Sequence, residues 1–189
     1  ITKIYEDAIR AAHAGEAVRS VLGRDGRALL LDRGLGPERF SFERGRLFVI
    51  GAGKAAAPMA AAAEEIFGGL IADGVVCVKD GHTQPLSVVG QREASHPVPD
   101  ARGESAAREI LSIASSAGKD DLILALFSGG ASALLPLPAG GITLEEKRRV
   151  TDLLLASGAP ICGINCVRKH LSSIKGGLLA RAAFPARSV

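Results

Sequence analysis

A lysine at the start of a helix is an unfavourable electrostatic choice unless an anion joins it, and Lys54 stands in that position. It follows Gly51-Ala52-Gly53 in the run RLFVIGAGKAAAPMAAAAEEIF, residues 46–67, which reads as strand, tight turn and helix. The unsatisfied N–H groups of a helix start carry partial positive charge, so a cation beside them calls for a carboxylate or a phosphoryl group. The same run fits the dinucleotide pattern G-x-G-x-x-[GA] through Gly51, Gly53 and Ala56. Asp80 closes the next strand, where a ribose-binding acid would stand, but it lies 27 residues after Gly53, beyond the usual ~20. A Walker A loop is absent. A dinucleotide and a phosphoryl or carboxylate ligand both stay open here. Lys54 favours the second, because backbone N–H groups bind pyrophosphate without a lysine.

Three further segments carry chemistry. The run LILALFSGGASALL places Ser128, Gly129, Gly130 and Ser132 directly after an apolar strand. A glycine pair flanked by hydroxyls forms a nest of N–H donors suited to phosphate, or simply a tight turn. Ser128 lacks the G-x-S-x-G elbow of a nucleophile. In the loop SHPVPD, residues 95–100, two prolines hold His96 and Asp100 at fixed separation, with Asp100 also suited to N-cap the next helix. The segment NCVRKHLSSIKGG, taken as one helix, puts Val167, Leu171, Ile174 and Leu178 on one side and Arg168, Ser172 and Lys175 on another. No Asp or Glu occurs between residues 153 and 189, so these cations lack a local partner and read as an anion-facing stripe. Asn165 would cap that helix or reach a ligand.

These residues need elements to hold them. Residues 1–22 carry helical spacing, and residues 23–45 read as a loop with a short strand. Strands follow at about 46–53, 73–81, 86–94 and 121–127. Helices are expected over about 54–67, 101–118 (Ile110, Leu111 and Ile113 inward) and after the glycine turn at 128–132 within the run ending at 135. Another should span 143–158, where Thr143 caps with Glu146. The last strong element runs over 165–182. Continuous apolar strands alternating with helices predict a doubly wound, Rossmann-like three-layer α/β sandwich with a mostly parallel sheet. In such sheets ligands sit at the carboxyl ends of strands, where the glycine turns lie.

Composition narrows the function classes. The 189 residues are 47% hydrophobic and 23% charged with a formal net charge of +3, which suits one α/β domain with a sizeable core. Acidic and basic residues are interspersed, so no nucleic-acid partner is expected. No apolar run reaches the ~18 residues of a membrane span, and the start has no signal-peptide core, so a cytoplasmic location is expected. Cys77, Cys162 and Cys166 make an odd count, against a disulfide framework. No Cys/His set completes a metal site. The chain begins at Ile1 and stops in AAFPARSV, the pattern of a fragment.

Together and in this order, VIGAGKAAAPMAAA, SHPVPD, FSGGASALL and NCVRKHLSSIKGGLLA resemble the amino-terminal part of the glycerate 2-kinases. These two-domain enzymes are often labelled hydroxypyruvate reductases. The resemblance implies ATP-dependent phosphorylation of D-glycerate to 2-phosphoglycerate, with Mg2+, in a cleft between a larger α/β domain and a smaller second one. It implies Lys54 as the active-site lysine, Ser128–Ser132 as a phosphate- or substrate-binding turn beside Gly51 and Gly53, and His96, Asn165, Arg168 and Lys175 as cleft-lining groups. Residues 1–189 would then be an amino-terminal domain, incomplete at its carboxy-terminal end and without the second domain. A homodimer is left open. The alternatives are an NAD(P)-dependent hydroxypyruvate reductase, with Asp80 on the ribose, and a non-catalytic phosphosugar-binding module.

Overall fold

The computed structural model describes residues 2–189. Two helices, α1 (Thr2–Ala11) and α2 (Ala14–Val21), lead into strands β1 (Leu22–Asp25), β2 (Ala28–Asp32) and β3 (Pro37–Ser41). These three pair antiparallel in the order β1-β2-β3. Here the structure corrects the expectation of a loop with one short strand. The Asp25-Gly26 step is a hairpin turn, with Gly26 at φ 56° and Asp25 paired to Ala28. Glycines and prolines that read as loop punctuation mark the ends of short strands.

The main sheet holds β4 (Leu47–Ala52), β5 (Ile71–Lys79), β6 (Gly90–Ala94), β7 (Leu122–Phe127) and β8 (Arg187–Ser188). Its order is β6-β5-β4-β7-β8, every pair parallel. Every residue of β4 is buried. Leu47 and Val49 face one layer with Val76, Leu122 and Phe67, whereas Phe48, Ile50 and Ala52 face the other with Val75, Ile123 and Ile110. This alternation at period two, with both faces apolar, is what makes a strand read as a continuous hydrophobic run. Helix α3 (Ala56–Phe67) covers the first face and α4 (Ala101–Ser116) the second. Burying a side chain such as Phe67 or Ile110 contributes roughly 1.5–3 kcal/mol each. The three-layer α/β sandwich is therefore as expected. No helix among the described residues is long and apolar enough to cross a membrane.

Residues 80–89 join β5 to β6 without a helix. Glu64 of α3 substitutes for one, its carboxylate accepting the N–H groups of Ser87, Val88 and Val89 at 2.8, 2.8 and 2.6 Å. Burial opposes ionisation of Glu64, but those three donors outweigh it and hold the carboxyl below its usual range.

Beyond β7 lie α5 (Ala131–Leu134), α6 (Leu144–Ala156), α7 (Ile161–His170) and α8 (Leu178–Ala183). The Thr143–Glu146 capping box forms as expected at α6. The single helix expected from 165 onward does not form. Helix α7 starts earlier, after Pro160, and ends at His170, and Gly176 and Gly177 at φ 64° and 89° turn the chain before α8. The cause is competition for the backbone. The Ser172 hydroxyl and Ser173 N–H donate to Leu137 O, the Ser173 hydroxyl donates to Pro138 O, and Leu171 O accepts from Ala139 N–H. Four bonds to a neighbouring segment outweigh another helical turn.

Candidate active site

Strands β4, β5 and β6 step one way across the sheet, whereas β7 and β8 lie on the other side of β4. The winding reverses between β4 and β7, and both glycine turns leave the carboxyl ends of these two strands. Open parallel sheets form ligand crevices at such points. The turns are tied together. Ser128 N–H donates to Ala52 O at 3.0 Å, Lys54 N–H to Gly129 O at 2.9 Å, and Ala55 N–H to Ser128 Oγ at 3.0 Å.

The glycines differ in what they do. A Cβ on Gly51 would stand 2.1 Å from Leu126 O, and one on Gly53 would stand 2.0 Å from Ser128 Oγ. Close approach of β7 at Gly51, and of Ser128 just after it at Gly53, therefore explains the lack of a side chain at both. Gly129 faces open space, since a Cβ there would meet nothing within 4 Å. Gly130 needs to be glycine twice over, with φ at 95° and the His96 ring 3.0 Å from where its Cβ would be. The N–H groups of Gly129, Gly130 and Ser132 make no hydrogen bond among the described residues. They form an open nest of donors suited to an anion.

Lys54 precedes α3 and is exposed. Its Cγ lies 3.4 Å from the Cβ position of Gly130, so its stem runs along the second turn. No carboxylate lies within ion-pair distance of Lys54 among the described residues. Burial, and then the charges of Lys54 and Lys79, push the His96 imidazole below its usual value and keep it neutral at pH 7.

Beside the second turn opens a cleft of about 260 Å³. Pro97, Val98 and Pro99 form one wall and α6 another, with Ser132, Arg168 and Lys175 between them. Arg168 and Lys175 do converge, though by the turn after α7 rather than by helical periodicity. Lys175 Nζ donates to Leu135 O at 2.8 Å. Asn165 sits mid-helix on the exposed side of α7, outside the lining of this cleft and away from any cap. Asp100 caps α4 by accepting from Gly103 N–H at 3.0 Å.

Lys147 is a candidate site residue that the sequence patterns did not single out. It lines the cleft, is 6% exposed, and donates to Leu137 O at 3.1 Å. A signal existed, because Leu144, Lys147 and Thr151 share one face of α6, placing a lysine where an inward apolar residue belongs. Burial chiefly, with repulsion from neighbouring cations, pushes Lys147 and Lys175 each down to about 8.

Asp80, the expected ribose ligand, instead accepts both terminal N–H groups of Arg102 at 2.6 and 2.9 Å, and Arg102 also holds Asp100. That removes the free carboxylate on which the dinucleotide reading rested. Among the described residues no group of three or more His, Cys, Asp or Glu could hold a metal ion.

A family model described as a domain of unknown function (DUF4147) matches residues 1–189. A relative in Agrobacterium vitis, 51% identical over 153 residues, 81% of this chain and 34% of that protein, carries the name "Putative hydroxypyruvate reductase". A "Glycerate 2-kinase" of Pyrococcus horikoshii is 47% identical over 138 residues, 73% of this chain and 31% of that protein. A solved structure of a protein from Pyrococcus horikoshii OT3 matches with a TM-score of 0.88 at 39% identity, covering 100% of this chain and 41% of that one. The chain spans about a third of the length of the curated relatives it matches.

Proposed function

The chain belongs to the DUF4147 family, and from that premise we propose that the whole protein transfers the γ-phosphoryl group of ATP to D-glycerate, giving 2-phosphoglycerate. The name of the Pyrococcus relative supports this reading. The observation that carries it is the open nest of Gly129, Gly130 and Ser132 N–H groups along which the stem of Lys54 runs, a lysine with no ion-pair partner among the described residues.

Phosphoryl transfer needs in-line positioning and neutralisation of charge on the transferring oxygens, with little covalent work for the protein. The C2 hydroxyl oxygen of glycerate bonds to the γ-phosphorus as the bond to ADP breaks, and the hydroxyl proton leaves late. The nest donates to phosphate oxygens without reorganising, and Lys54 adds a point charge where the phosphoryl group passes. Arg168 and Lys175 hold the remaining negative charge. His96, neutral and packed on Gly130, braces the turn. ATP supplies the phosphoryl group. No step is assigned to Mg2+. A second domain, consistent with the length of the relatives, would close the cleft and exclude water. Use of ATP and free glycerate supports a cytoplasmic location.

The test is ADP release by the whole protein with D-glycerate, L-glycerate and tartronate, in wild type and Lys54→Ala. D-glycerate-dependent ADP release that falls at least ~100-fold in the variant is expected, since one preorganised donor is worth about 3–4 kcal/mol. A protein that releases no ADP, or a variant with near-normal turnover, refutes the assignment.

A further inference from the structure

Inside the cleft, cationic side chains from three segments meet, and none of them forms an ion pair among the described residues. Lys147 of α6 is almost wholly buried, and of its three N–H donors it gives one to Leu137 O. Lys175 likewise gives one to Leu135 O. Arg168 of α7 makes no hydrogen bond or ion pair among the described residues, leaving its whole guanidinium fork unused. Arg148 adds a further positive charge on the same rim.

The nearby carboxylates do not pair with them. Glu104 of α4 attracts Lys147 from a distance but pairs with Arg108. Asp152 lines the cleft without pairing with any of the three. A buried ammonium with unused donors is costly to hold. Nothing in the fold requires it, because Leu137 O already accepts from Ser172 Oγ and Ser173 N–H.

We infer that Lys147, Arg168 and Lys175 form the subsite for the carboxylate of a small hydroxy acid, leaving the nucleotide phosphates to the glycine turns and Lys54. This rests on the kinase reading, and it makes Lys147 a specificity-determining residue for the acid. The size of the cleft favours an acid over a nucleotide here, and two further features suit an anion. The volume of about 260 Å³ suits a molecule of a few heavy atoms and falls below the ~300–1,000 Å³ of pockets for larger ligands. An arginine fork matches a carboxylate in a bidentate geometry, and the lysines add point charges beside it. Val98, Pro136 and Leu144 contribute apolar walls that lower the local dielectric, which strengthens each contact. Ser132 lines the cleft and belongs to the second glycine turn, so the far end of an acid anchored on the cations points toward the nest. Because both lysines lose charge near pH 8, an entering carboxylate draws protons onto them.

The test is calorimetric binding of D-glycerate and, separately, of a non-hydrolysable ATP analogue to the whole protein, in wild type, Lys147→Met and Arg168→Gln. Both variants are expected to lose at least ~10-fold in acid affinity and to keep nucleotide affinity within about twofold, as charged hydrogen bonds of this kind predict. At pH 8.5, acid binding by the wild type should take up protons, read from buffers of different ionisation heat, and the uptake should shrink in Lys147→Met. Unchanged acid affinity in both variants overturns the subsite and leaves the kinase reading standing. Equal loss of acid and nucleotide binding overturns it as well. Acid binding that depends on the cations, in a protein that releases no ADP, keeps the subsite and refutes the kinase.

Discussion

Replacing Lys147 by methionine should stabilise the protein at neutral pH while it weakens acid binding. Burial, the charge of Arg168 and a partial offset from Glu104 bring the Lys147 ammonium from an ordinary 10.5 down to about 8. Keeping it charged in the fold at pH 7 costs about 3 kcal/mol, since each pH unit of displacement is worth about 1.4 kcal/mol. Methionine has a stem of similar length and volume and carries no charge to desolvate. It forfeits one hydrogen bond, worth about 1 kcal/mol, and leaves Leu137 O satisfied by its two other donors. The net expectation is a gain of about 2 kcal/mol at pH 7. The sign with pH follows from proton counting. Between about pH 8 and 10.5 the unfolded lysine is protonated and the folded one is not, so wild-type stability rises with pH relative to the variant. By pH 10 the penalty has fallen below about 1 kcal/mol and the two proteins should be nearly equal. Urea unfolding of both at pH 7 and pH 10 measures this directly. A variant at least 1 kcal/mol less stable than wild type at pH 7, or a difference that does not change with pH, would refute the reasoning.

Other consequences can be checked alongside it. Glu64→Ala strips three N–H groups of their acceptor and should cost about 2–3 kcal/mol by urea unfolding, with hydrogen exchange rising at Ser87, Val88 and Val89. Because the folded pKa of Glu64 is lowered, its contribution is complete above the ordinary 4.5 and is lost as pH falls through the lower folded value. Gly51→Ala should destabilise by more than about 2 kcal/mol, since its Cβ would press on Leu126 O and no rotamer relieves a backbone clash. Asp100→Ala removes the cap of α4 and one partner of Arg102, and should cost about 1–2 kcal/mol in a thermal melt. The Michaelis constant for D-glycerate should rise above about pH 8, as Lys147 and Lys175 lose charge, and the rise should flatten in Lys147→Met.

The sequence by itself determined the alternation of apolar strands and helices, because a strand buried on both faces has to be apolar at every position. It also determined the glycine turns, the Thr143–Glu146 cap and the Asp100 cap, all of which depend on neighbours within a few residues. Asp25-Gly26 shows a local signal that was legible and passed over. What depends on partners far along the chain was decided only in three dimensions. Helix α7 ends at His170 because residues 137–139 offer Leu171, Ser172 and Ser173 better hydrogen bonds than another turn would. Asp80 is occupied because Arg102 reaches it across 22 residues, and Glu64 is an anchor because three N–H groups arrive from residues 87–89. Lys147, Arg168 and Lys175 lie on three different segments, and no spacing rule joins them. They share a cleft because the chain packs α6, α7 and the 171–177 turn around it, and burial there pushes the two lysines down to about 8.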